Sequence, residues 1–323
     1  MSNLTFLIIG SGSIGQRHLK NLKEISPNIR TVLVRRKISN SKLFVKPDLV
    51  INNFKDYPID KIDGIVLANP SSFRKEIIEY FIKNKKPLFI EKPITNSNKT
   101  AEAILKLMKK NKNIPVMVGY CLRFLKSLVF FKKIISSAQL GKTRSSQIYF
   151  SHYLPSWRNN INYQNSVSAT KKLGGGILLE MSHELDYLQW IFGKIKKYIG
   201  HSYLIKDLKM DIPNHADIIF KTKRNIIVNL HMDMLSRQCE RNCRVICENG
   251  YVFWDYQKNL VKWKIGNEDE RKKIFSKNEV TEMYIDEMKC FIDMIKNKKN
   301  KYIDLIDSIG LIKIIEKLNS LKI

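Results

Sequence analysis

The sequence predicts an α/β domain with a doubly wound parallel sheet, followed by an α+β domain on an open, mostly antiparallel sheet. Three observations predict it. A glycine-rich loop at residues 10–15 directly follows an apolar run, short apolar runs alternate with amphipathic stretches up to Gly119, and strand-like segments then succeed one another. A length of 323 residues suits two domains, with 1–121 as the first and 122–323 as the second.

Leu4 to Ile9 reads as a buried parallel strand, and Gly10-Ser11-Gly12-Ser13-Ile14-Gly15 follows it at the start of a helical stretch, Gln16 to Ile25. The first glycine permits a tight turn, the second lets backbone approach a pyrophosphate, and the third lets helix and strand pack closely. Free N–H groups and the dipole at the helix start favour the phosphates, so Gly10, Gly12, Ser13, Ile14 and Gly15 are expected to bind a dinucleotide. Further strands are expected at Thr31–Val34, Gly64–Ala68, Leu88–Ile90 and Val116–Val118, with helices at Arg74–Lys83 and Lys99–Lys110. Ligands lie beyond the carboxyl ends of such strands, which places Ala68, Asn69, Pro70, Glu91 and Lys92 at the cofactor's edge.

The second strand ends in Arg35-Arg36-Lys37, and no acidic residue occurs between Glu24 and Asp48. A carboxylate there would accept from the ribose 2′-hydroxyl of NAD, whereas guanidinium groups attract a 2′-phosphate. The expectation is NADP in preference to NAD, against the alternative that Arg35 and Arg36 are surface charges of a basic chain.

After Gly119 one helix (about Leu125–Ser136) leads to strands near Arg144–His152, Lys197–Tyr203, Ala216–Lys221, Ile226–Asp233, Cys243–Glu248, Tyr251–Asp255 and Val261–Ile265. Between the first two lies Gly174-Gly175-Gly176 and a predicted amphipathic helix over Ile177–Phe192. It places Glu180, His183, Glu184 and Tyr187 on one face. A carboxylate one turn from a histidine can orient the ring, as a general base near neutral pH requires. The competing reading is a solvated acidic face with an incidental histidine. A last helix, about 303–321, is expected to pack back on the first domain. Lys92, in Glu91-Lys92-Pro93 at a strand's carboxyl end, could hydrogen-bond a substrate hydroxyl or polarise a carbonyl.

Composition excludes several classes. Fifty-seven basic against 30 acidic residues give a net charge of +27. Lysine doublets are scattered, so compositional drift is favoured over an anionic small substrate. No nucleic-acid motif accompanies the charge, and none is expected as a partner. No apolar run approaches the ~20 residues of a membrane span, and the first residues lack a secretory pattern, so a cytoplasmic protein is expected. The five cysteines suit reduced thiols. Cys243 and Cys247 fall on one predicted strand ahead of an Asn249-Gly250 turn. Their ~13 Å separation is too wide to share a metal. His183-Glu184-x-x-Tyr187 lacks the second histidine of a zinc helix, so no metal is expected.

Together these motifs, with Gly119-Tyr120-x-x-Arg123-Phe124, resemble the glucose–fructose oxidoreductase / inositol dehydrogenase / MocA family over nearly the whole chain. Tyr153-Leu154-Pro155-x-Trp157-Arg158, then Tyr163 and Ser168-Ala169, resemble a branch associated with surface-polysaccharide or nonulosonic-acid-type sugar biosynthesis. The resemblance implies NAD(P)-dependent hydride transfer at a secondary hydroxyl or keto group of a sugar, sugar phosphate or nucleotide sugar. It matches Lys92 and His183 to the family's catalytic lysine and histidine, with Glu180 orienting the ring. It further implies a homodimer or homotetramer through the second domain's sheet. Tyr120, Arg123, Trp157, Arg158, Tyr163, Lys171 and His183 would line the substrate pocket, and the arginines suit an anionic sugar.

Two departures stand out. The family's helix usually has an aspartate four residues before the histidine, and here Glu180 precedes His183 by three. Aligned from the glycines, the histidine position falls on Glu184; aligned from His183-x-x-Asp186, it falls on His183. Arg74 also stands where a histidine is common, adding positive charge near cofactor or substrate. A different class, a dinucleotide-binding sensor without chemistry, stays open at this point.

Overall fold

A computed structural model describes residues 4–35, 42–157, 162–297 and 305–320. The chain divides into two compact units: Met1–Cys121 with Tyr284–Lys313, and Leu122–Met283 with Ile314–Ile323.

In the first unit, β1 (Thr5–Ile9), β2 (Arg30–Val34), β3 (Leu49–Ile51), β4 (Gly64–Leu67), β5 (Leu88–Glu91) and β6 (Val116–Gly119) form one parallel sheet. Its order is β3-β2-β1-β4-β5-β6, the doubly wound arrangement expected from the sequence. Phe6, Leu7 and Ile8 are fully buried, as a strand covered on both faces requires. The helices α1 (Ser13–Ile25), α2 (Lys75–Lys83) and α3 (Asn98–Lys110) carry the amphipathic patterns, burying Leu19 and Leu22, Ile78 and Phe81, and Ala101 and Ile104. The order reverses between β1 and β4, so the glycine loop and the Ala68-Asn69-Pro70 turn adjoin there.

In the second unit, α4 (Lys126–Ile135) precedes β7 (Thr143–Ser151), and the split helix α5 (Ile177–Glu180) and α6 (Ser182–Phe192) follows. Then come β8 (Ile195–Tyr203), β9 (His215–Thr222), β10 (Ile227–Asp233), β11 (Glu240–Cys247), β12 (Gly250–Asp255), β13 (Leu260–Ile265) and β14 (Arg271–Ile274). They make a sheet ordered β14-β13-β12-β11-β7-β10-β9-β8, antiparallel throughout except for the β7–β10 pair. Its inner face is apolar: Trp254 is fully buried, packs on Phe131 of α4 and Tyr187 of α6, and donates to Ser127 Oγ. The outer face alternates with it, as a half-covered sheet should.

Three elements were not anticipated. β3 is only three residues long and half-exposed. β14 is a charged, exposed edge strand, whose arginine and lysines discourage further pairing. The helix α7 (Glu279–Asn297) hides its apolar positions among charges, yet Phe291 packs on Phe6 and Phe89 of the first unit's core. The chain's last helix is α8 (Leu305–Ser320). Among the described residues, no helix is long and apolar enough to cross a membrane.

Cys243 and Cys247 are buried on β11. Burial pushes the Cys243 thiol up to about 12, against a weaker lowering by Ser146, so it packs as an inert thiol.

Candidate active site

The loop after β1 is built around glycines for steric reasons. Gly10 has φ +114°, and a Cβ there would lie 2.8 Å from the Ala68 carbonyl and the Asn69 nitrogen. A Cβ on Gly15 would lie 2.0 Å from Gly10 O, which is how close helix and strand approach. Gly12 has nothing within 4 Å of that position. It caps α1, no side chain caps the helix, and no acidic residue occupies the first turn. The helix therefore begins at an exposed, uncapped glycine with no acidic neighbour in its first turn, a setting that favours phosphate.

Gln16 ties the next segment to this loop. Its Nε2 donates to Ser11 O and Lys42 O, and its Oε1 accepts from Phe44 N. Gly10 N donates to Val34 O at 3.3 Å, so Arg35 directly adjoins the glycine loop at the end of β2. Arg36 lies outside the described residues.

Two residues near β4 and β5 have buried partners within the first unit. Glu91, expected at the cofactor's edge, is buried with its Oε1 2.6 Å from His18 Nε2. Arg74 was read as a charge facing cofactor or substrate. It is buried instead, and its guanidinium donates to the backbone carbonyls of Asn69, Glu91 and Pro93. One fork thus clamps the Asn69-Pro70 turn to the segment carrying Lys92. Lys92 itself is half-buried and precedes Pro93 through a cis peptide.

In the second unit, the helix expected over 177–192 breaks at Met181 (φ −99°, ψ 30°). A tight bond from Glu184 N to Met181 O spans the break, and the helix resumes with Glu184 and Tyr187 facing inward. Glu184 is fully buried and pairs with Arg241 Nε at 2.7 Å. Burial, then the Glu184 charge, pushes the Tyr187 phenol well above its usual range. The acidic face is therefore not solvated as one stripe. His183 stays half-buried, and Glu180 Oε2 accepts from Ser168 Oγ at 3.0 Å.

Several of the other expected pocket residues have partners within their own unit. Arg123 is held by both carboxylate oxygens of Asp186 and lies 5.8 Å from the Trp190 ring. Tyr120 is buried at 1% exposure, which removes it from the accessible surface. Trp157 is half-buried, donates from Nε1 to His152 O and stacks obliquely on the His152 ring. Tyr163 OH accepts from Lys209 N, and Lys171 is exposed. Arg158 lies outside the described residues.

Arg241 and His152 were not foreseen. Arg241 packs 4.9 Å from the Phe150 ring and 5.2 Å from that of Tyr256 while pairing with Glu184. Burial, then the Arg241 charge, lowers the His152 pKa. The segment 239–247 carries a cysteine at every fourth position, and nothing in that spacing marks Arg241 as the partner of Glu184.

Residues 4–120 match the model of an oxidoreductase family with an NAD-binding Rossmann fold, and residues 129–253 match the GFO/IDH/MocA C-terminal domain. The chain belongs to the GFO/IDH/MocA family. It is 25% identical over 212 residues to scyllo-inositol 2-dehydrogenase (NAD(+)) of Bacillus subtilis, covering 63% of this chain and 58% of that protein. It is 20% identical over 309 residues to myo-inositol 2-dehydrogenase of Thermotoga maritima, covering 90% and 87%. The chain spans about half to three-fifths of the length of the first curated relatives it matches. A levoglucosan dehydrogenase in complex with NADH shares the fold, with TM-score 0.85 and 15% identity over 98% of this chain and 96% of that one. The family implies a nicotinamide dinucleotide, and the residues present fit it: Gly12 leaves the cradle open where the pyrophosphate must approach.

Proposed function

We propose that this member of the GFO/IDH/MocA family is an NAD(P)-dependent dehydrogenase or reductase acting on a secondary hydroxyl or keto group of a sugar. The observation that carries the reading is the open glycine cradle at the start of α1, beside Arg35 and the clamped Asn69-Pro70 turn. The named relatives act on polyhydroxylated rings, which supports a sugar or cyclitol as substrate class.

A nicotinamide dinucleotide, when bound, supplies the hydride acceptor or donor. His183 takes the proton of the substrate hydroxyl at its imidazole, and Lys92 Nζ donates a hydrogen bond to the oxygen as charge develops on it. Glu180 orients the histidine. With Glu184 buried against Arg241, His183 is the accessible base of the two registers. Arg35 and Arg36 receive the 2′-phosphate, so NADP is preferred to NAD. With Arg123 held by Asp186, the residues Trp157, Arg158, Tyr163 and Lys171 favour an anionic sugar, of the kind used in surface-polysaccharide or nonulosonic-acid-type biosynthesis. Exposed Ile199, Ile219, Ile227 and Ile246 share the outer face of the eight-stranded sheet, which suits a homodimer or homotetramer in the cytoplasm.

Cyclitols, free sugars, sugar phosphates and nucleotide sugars, each assayed for reduction of NADP or NAD, test the class. Turnover of at least one is expected. Tight cofactor binding with no turnover of any compound would favour a sensor instead.

A further inference from the structure

Strand register brings four polar side chains together on the outer face of the eight-stranded sheet. His215 and Asp217 lie on β9, His231 and Asp233 on β10, and the pairs Asp217–His231 and His215–Asp233 stand directly opposite each other. Asp217 Oδ1 is 2.7 Å from His231 Nδ1, and its Oδ2 is 3.0 Å from His215 Nε2. We propose that this face binds one divalent transition-metal ion of the zinc class through His215 Nε2, an Asp217 carboxylate oxygen and His231 Nδ1.

Four observations carry the proposal. One atom from each of the three residues can be chosen so that all lie within 4.8 Å of one another. Tetrahedral zinc with ligands at about 2.0–2.2 Å needs neighbours about 3.3 Å apart, so small side-chain rotations suffice. Second, His231 Nε2 sits 3.1 Å from Asp233 Oδ2, the carboxylate–histidine–metal relay that fixes which ring nitrogen faces the ion. Asp233 is itself buried and accepts from the N–H groups of Leu235 and Ser236, so this outer carboxylate is rigidly held. Third, Tyr203 donates its hydroxyl to Asp217 Oδ2, and the Tyr149 ring stacks on His231 at 4.7 Å. Both hold ligands in place from neighbouring strands.

Fourth, the cluster borders a groove of about 700 Å³ lined by Tyr149, Asp217, His231 and Glu240 together with Ile199 and Ile219, so the ion would sit within the proposed subunit face. Two imidazoles and one carboxylate leave at least one coordination position for water or a small anion there. Sequence spacing hides the set, because His215-x-Asp217 and His231-x-Asp233 are 16 residues apart and only the antiparallel register unites them. All ligands come from one chain, so the site is independent of the hydride-transfer reading.

The test uses the full-length protein, stripped with chelator and titrated with zinc by calorimetry and with cobalt by absorption. One ion per chain is expected, with tetrahedral cobalt bands, and both signals should be lost in H231Q and D217N but kept in E268Q. Imidazole nitrogen shifts in wild-type protein should move on zinc addition for His215 and His231 alone, a readout that needs no variant to fold. Unmoved shifts would show His231 to be an imidazolium held between two carboxylates and would overturn the proposal. So would binding that survives in both ligand variants.

Discussion

Arg123 Nε and Nη2 lie 2.8 and 2.7 Å from the two carboxylate oxygens of Asp186, a bidentate pair with Asp186 almost wholly buried. The pair fastens the segment after β6 to α6, the helix that carries His183. Removing one partner strands a charge in the interior, at a cost of about 3–5 kcal/mol. Asp186→Ala should therefore lower the thermal midpoint sharply, whereas Arg123→Lys, which keeps the charge but loses the fork, should cost less. Calorimetric melting of the two variants checks the order; equal midpoints with wild type would show that the pair does not hold the helix.

Much of this was legible in advance, for identifiable reasons. The first unit's strands read clearly because parallel strands are continuous apolar runs, and the glycine loop read clearly because Gly10 and Gly15 answer to backbone clashes that no other residue survives. The partners of Glu91 and Arg74 did not read. Their sequence positions match a cofactor's edge, but a buried partner in space, His18 for one and three carbonyls for the other, decides what they do. The break at Met181 was equally hidden: propensity favours one helix over 177–192, and the pull of Arg241 on Glu184 comes from a strand 57 residues further on.

Gly15→Ala places a methyl group against Gly10 O, and the turn must open to admit it. Cofactor affinity should fall roughly tenfold or more, about 1.4 kcal/mol, with some loss of stability. Gly12→Ala meets no protein atom and should leave the fold's melting temperature nearly unchanged while weakening cofactor binding. Fluorescence titration with reduced cofactor, alongside melting curves, separates the two effects. Undiminished binding in G12A would remove the pyrophosphate from this loop.

Arg35→Asp replaces a cation beside Gly10 with an acceptor for a ribose hydroxyl. The ratio of NADPH to NADH affinity should fall by roughly tenfold or more, about one charge-assisted hydrogen bond. An unchanged ratio would make Arg35 an ordinary surface charge.

The Cys243 thiol, raised to about 12 by burial, is protonated in the fold at pH values where an unfolded thiol ionises. Between about 9 and 12 the unfolded chain holds fewer protons at this site than the native one. Its contribution to stability is therefore full below the unfolded pKa and declines as pH rises through that window. Cys243→Ser should flatten the alkaline limb of a stability–pH curve, and maleimide at pH 8 should leave native Cys243 unlabelled. Rapid labelling of the native protein there would contradict its burial.

In the proposed reaction, Lys92 and His183 act together on a sugar hydroxyl during hydride transfer. The most direct measurement follows nicotinamide absorbance with the best substrate found, in wild type, Lys92→Met and His183→Ala, together with cofactor affinity for each. Turnover is expected to fall about 100- to 10,000-fold in both variants while cofactor binding and melting temperature hold. Near-normal turnover in either variant would contradict the assignment.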